Sequence, residues 1–165
     1  MRMRYIHLSS KDVPILPAEH SLLLNVEERI VTLLGQGQVC AQCRFPRSAF
    51  RLLVLLLKAP YGADYVELLA CLRCSEVVFR KLVLATSYEQ IGAILAPQIA
   101  CIRQELEQMM LRGKDQLEKE LKVVRRVAKE PGGVDRLLKK HGFALTVKGL
   151  NRKGYLLTRE IPALV

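Results

Sequence analysis

Four cysteines stand in two Cys-x-x-Cys pairs, Cys40-Ala-Gln-Cys43 and Cys71-Leu-Arg-Cys74. Two such pairs can place four thiolates around one tetrahedral zinc ion. The stretch that separates them is longer than a zinc ribbon commonly uses, and neither pair is followed by a knuckle glycine. Cys71 and Cys74 also fall in a helix-period apolar run, where cysteine serves as a small hydrophobe. Cys43 fits an inward strand position beside Phe45. The expectation is four core thiols that share no metal, with a zinc-dependent regulator as the alternative. A fifth cysteine makes the count odd, and no secretion signal is evident, so a disulfide framework is not expected.

Other catalytic chemistry finds little support. His7, His20 and His141 lie in no metal-binding or general-base spacing. His141 precedes Gly142, as a cation at a helix C-terminus would. Gly35-Gln36-Gly37 lacks the third glycine of a dinucleotide loop. Ser9, Ser10 and Ser75 have no nearby base to activate them. Glu105, Glu107, Glu118 and Glu120 sit among Lys and Arg on helical stretches, the pattern of a solvated face. No enzyme activity and no cofactor are expected.

Charge is the stronger signal. The formal net charge is +10, with half the residues hydrophobic. Such a chain can bury a core and still attract polyanions, nucleic acid first and an anionic membrane second. The surplus is uneven: from Arg112 to Glu160 there are 14 Lys/Arg against 6 Asp/Glu. Aromatics are sparse and unclustered, so base stacking on single strands is a poorer fit than a duplex backbone. No apolar run reaches transmembrane length, which with the missing signal peptide points to a cytoplasmic protein without a membrane partner.

The elements that must carry these cations are read from periodicity. In 141–158, Phe143, Leu145 and Val147 alternate with Ala144, Thr146 and Lys148, and Tyr155, Leu156 and Leu157 return as a second strand. Gly149, Asn151 and Gly154 are expected to supply the permissive backbone of the reversal. Lys148, Arg152 and Lys153 then form a cationic tip. A basic-tipped hairpin after basic helices suggests the wing of a winged-helix DNA-binding domain, although an ordinary charged hairpin has the same pattern.

Upstream, residues 1–20 read as an arm, or a first strand at 4–8 with a linker punctuated by Pro14 and Pro17. Runs at 21–26, 29–34 and 39–45 make an antiparallel meander with turns at Glu27-Glu28 and at Gly35-Gln36-Gly37. A nearly all-apolar helix spans 48–58, with Ser48 as its expected N-cap. Asp64 caps a helix at 65–73 and Ser75 caps one at 76–85. A short apolar segment, 88–95, precedes a helix that opens at Pro97 and carries Ile99, Ile102, Leu106, Met109 and Met110 on one stripe. Gly113 interrupts it. The period resumes at Leu117, Leu121, Val124 and Val127, ends at Pro131-Gly132-Gly133, and is followed by a short basic helix at 134–141. The fold class is α+β.

This order resembles the OmpR/PhoB type of winged-helix effector domain of bacterial transcription regulators. The matching stretches are 22–57, 63–72 and 145–157. The run from Val147 to Leu156 is similar to that family's Val-Arg-Gly-x-Gly-Tyr-x-Leu wing with two extra residues. Ser48-Ala49-Phe50-Arg51-Leu52-Leu53 is similar to its first-helix start, with Ala49 in place of the usual Glu. The chain departs between Cys74 and Phe143, where the family has one turn and one recognition helix and this chain has a helical insertion around 75–130. No receiver domain precedes the domain in this sequence. The resemblance implies a sequence-specific double-stranded DNA-binding regulator over 21–165, reading repeated half-sites as a homodimer. The expected contact residues are Arg125, Arg126, Lys129, Arg136, Lys139, Lys140, Lys148, Asn151, Arg152 and Lys153. The competing reading is a protein-interaction module, partnered by RNA polymerase or another regulator through the Met109/Met110 stripe.

Overall fold

A computed structural model describes residues 5–160 except Gly113 and Arg152; for residues 109–118 and 120 only the backbone is described. The architecture is α+β. It comprises a four-stranded antiparallel sheet, a helical layer and a small three-stranded sheet.

The first sheet is β1 (Tyr5–Ser9), β2 (His20–Asn25), β3 (Ile30–Gly35) and β4 (Gln38–Arg44), paired in that order. Side-chain alternation turns one face inward. Cross-strand rows Leu8–Leu22–Leu33–Ala41 and Leu24–Val31–Cys43 follow from the register and are buried. Gln36 and Gly37 both take positive φ, the pattern of a two-residue type I′ hairpin turn. Residues 5–20 thus supply the sheet's edge strand, and Val13 and Leu16 behind it are buried. The guanidinium of Arg159 donates to the Ile15 carbonyl at 3.0 Å, tying the beginning of the described chain to its end.

Helix α1 (Arg47–Lys58) is buried from Ala49 to Leu57, including Arg51. A helix apolar on every side belongs at the centre of a core. Ser48 is not its cap: Pro46 holds that position and its carbonyl accepts the Phe50 N–H. Proline's fixed φ and extended ψ set the helix start two residues earlier than the serine signal suggests.

Two other caps stand as read. Asp64 and Glu67 form a reciprocal capping box at α2 (Tyr65–Arg73), and Ser75 accepts from Val78 N at α3 (Glu76–Leu84). Helix α4 (Tyr88–Arg112) runs straight through Pro97 and so overrides the expected helix start there. Proline forfeits one backbone bond, but Ile91, Leu95 and Ile102 form one continuous buried stripe across it. That packing outweighs the missing bond.

Helix α5 (Lys114–Lys129) and α6 (Val134–Lys140) lead into the hairpin β6 (Leu145–Leu150) and β7 (Gly154–Arg159). Strand β7 sits between β6 and the two-residue strand β5 (Ala63–Asp64). Phe143, Leu145, Val147, Tyr155 and Leu157 are buried, as the alternation predicts. Phe143 meets Phe45 edge-on with ring centroids 6.2 Å apart, joining the hairpin's core to the end of β4.

Candidate nucleic-acid interface

Helix α6 packs on both α5 and β6, so these elements carry the C-terminal cations as one unit. Val124 and Ala128 bury one face of α5, while Lys119, Lys122, Arg125 and Arg126 are exposed. Lys119, Lys122 and Arg126 stand three and four positions apart, which places them on one helical stripe. Lys119 and Lys122 are not among the residues expected from sequence. Their shared spacing with Arg126 is the signal that would have found them.

The expected contact residues separate into two groups. Lys129, partly exposed, is engaged by its neighbours: its Nζ donates to Asp135 Oδ2 at 3.1 Å and to the Val147 carbonyl at 2.8 Å. Lys139 Nζ lies 3.2 Å from the same Asp135 oxygen. Arg136, exposed, donates from Nε to the Lys129 carbonyl at 3.3 Å. Arg125 lies beside the Tyr155 phenol, which stacks edge-on with Tyr65 at 5.8 Å. Arg126, Lys140, Lys148, Asn151 and Lys153 are exposed. Arg152 lies outside the described residues, as do the Met109 and Met110 side chains on which the interaction-module reading leans.

Asp135, which sequence reading passed over, organises this surface. It is buried in the first turn of α6. Oδ1 accepts from Thr146 Oγ1 and from Val147 N, each at 2.8 Å, clamping α6 to β6. Burial alone would push its carboxyl upward. The Val147 amide, the Lys129 ammonium, the Thr146 hydroxyl and the Lys139 ammonium outweigh that and hold it down at about 2.

The hairpin reverses differently from the expectation. Gly149 and Gly154 are paired within the strands, and among the described residues of the turn Asn151, also expected there, takes the left-handed conformation. Gly154 is required by close approach instead: a Cβ there would lie 1.9 Å from the Ala63 carbonyl oxygen on β5. Lys153 N donates to the Leu150 carbonyl, and Lys153's own carbonyl accepts from Tyr65 N. The base of the tip is thereby locked to α2 while the Lys153 side chain stays outside.

The cysteines occupy core and edge positions. Cys71 and Cys74 are buried at the end of α2, with Cys71 Sγ donating to the Arg51 carbonyl at 3.2 Å. Burial pushes both thiols upward. Cys43 faces the first sheet's core, and Cys40 is exposed on β4. Among the described residues no three His, Cys, Asp or Glu side chains group as a metal site. Nor, among them, is any helix long and apolar enough to cross a membrane.

No family model, no curated protein and no solved structure matches the chain.

Proposed function

We propose that the chain is a sequence-specific duplex DNA-binding regulator of the winged-helix kind, with β6–β7 as the wing. The observation that carries this reading is the exposed cationic stripe on α5, set in the same packed unit as Arg136, Lys140 and the hairpin's Lys148 and Lys153. An exposed helix with cations on one face fits a major groove, and a projecting hairpin tip suits the neighbouring backbone. Helix α5 is the better groove element. It spans 16 residues, whereas α6 is short and Lys139 at its end is engaged by Asp135. Arg126 and Lys122 meet phosphates or base edges, and Lys148 and Lys153 meet phosphates. Lys129 moves from contact residue to scaffold. The element order supports the OmpR/PhoB-type reading, with meander, apolar helix, Glu-Leu-Leu helix and closing hairpin in sequence.

The test is selection on random duplex DNA, followed by affinity measurements on the selected site at several salt concentrations. The expected result is enrichment of a defined motif and a steep loss of affinity with salt. Six or more phosphate contacts would cost roughly a thousandfold between 50 and 200 mM. Absence of duplex binding at the lowest salt would overturn the reading in favour of a protein-interaction module. Exposed Val77 and Leu84 on α3 are an apolar surface for such a partner.

A further inference from the structure

A cavity of about 450 Å³ opens between β1, the 9–16 turn, the end of α1 and the α3–α4 junction. Its volume lies in the range of small-molecule sites. Leu8, Val13, Leu57 and Val83 give it buried apolar walls, and the half-exposed Leu84 stands at its rim. None of the cations of the α5–α6–hairpin unit lines it.

Lys58, Asp12 and His7 bring ionisable side chains to this lining. Lys58, in the last turn of α1, is half-buried, and its Nζ donates to the Ala85 carbonyl at 2.5 Å. An ammonium carries three donors, and among the described residues Lys58 has no other hydrogen bond and no ion pair. Asp12 is the acid near enough to act on it electrostatically. Its Oδ2 already accepts from Ser9 N at 2.9 Å and Ser9 Oγ at 3.1 Å, out at the exposed rim. Loss of hydration holds the Lys58 ammonium below the ordinary lysine range. An anion brought to the free donors would restore what hydration no longer supplies.

We propose that this cavity binds a small amphipathic carboxylic acid, its carboxylate on Lys58 Nζ and its apolar body against Leu8, Val13, Leu57 and Val83. The charge balance selects the class. Asp12 already offsets one positive charge at the rim, so a singly charged carboxylate on Lys58 meets less repulsion there than a doubly charged phosphate would. A cationic ligand would meet Lys58 directly, and a neutral one would leave the ammonium unpaired. This site is independent of the DNA reading and stands or falls without it.

Calorimetric titration with octanoate and with 1-octanol tests it on the full chain. Octanoate is expected to bind about tenfold more tightly than the alcohol, the size of one charge-assisted hydrogen bond. Lys58→Met should erase that difference while still binding both weakly. As a check that does not depend on the variant's folding, intermolecular NMR contacts from octanoate in the parent protein should fall on the Leu57 and Val83 methyls. Equal affinity for acid and alcohol would overturn the proposal. So would an unchanged preference in a folded Lys58→Met, contacts mapping elsewhere, or no octanoate binding at millimolar concentration.

Discussion

Asp135 takes hydrogen bonds from two ammonium groups, a hydroxyl and a backbone amide. Its folded carboxyl sits at about 2 against 3.8 for the unperturbed group. A lowered folded pKa means stability that is fully present above the unfolded value and lost as pH falls toward 2. Asp135→Asn should therefore lower stability by about 2 kcal/mol at neutral pH. The variant should also flatten the acid limb of a stability–pH curve between pH 4 and pH 2. Urea unfolding across that range checks both; a parallel acid limb in the variant would sink the account. The same geometry divides the cations. Replacing Lys122 and Arg126 together by Ala should leave urea stability within about 0.5 kcal/mol per site and lower the salt slope of duplex binding by about two. Lys129→Ala should do the opposite and cost about 2 kcal/mol, because it uncovers a buried carboxylate.

At the scale of the hairpin, its two glycines make opposite predictions. Gly154→Ala drives a methyl into the Ala63 carbonyl, so β7 must leave β5 or shift. A loss of about 3 kcal/mol is expected from such backbone overpacking. Gly149→Ala meets only Tyr155 Cε1, at 4.0 Å, and should leave the melting temperature unchanged or slightly raised. If both variants melt alike, the close-approach explanation is wrong. The hairpin's strand and tip side chains divide in the same manner. Tyr155 is 6% exposed and packed on Tyr65, and truncating it to Ala should cost about 3 kcal/mol. Lys153→Ala removes an exposed side chain with little folding role and should reduce DNA affinity alone. Paired melting curves and binding isotherms separate the two effects.

For the whole molecule, the asymmetry of charge matters more than its total. The basic unit lies at one end of the sequence, while the apolar core draws on the first sheet, α1 and every later helix and strand layer. One domain of this size covers few base pairs, so two copies are expected on a full site with repeated half-sites. Sedimentation on a selected duplex should show two proteins per DNA. A strict one-to-one complex at saturation would remove the homodimer from the proposal while leaving DNA binding intact.

Periodicity and punctuation alone determined the elements whose stability is local. The meander's alternation, the Asp64 cap, the Ser75 cap and the 143–147 strand pattern each depend on neighbours within a few residues. Sequence therefore carries them directly. The excess of cations in the C-terminal third was equally plain. What the tertiary structure decided depends on residues far apart in the chain. Pro97 stays helical because the buried stripe of Ile91, Leu95 and Ile102 continues on both sides of it. Gly154 is needed for the approach of Ala63, some ninety residues earlier, and not for its own φ. Lys129 reads as one more surface cation until the fold sets Asp135 and the Val147 carbonyl around it. The Lys58 cavity combines β1 with the ends of α1 and α3. No local pattern encodes such a meeting, because burial and unmet hydrogen bonds belong to the packed chain and not to the order of its residues.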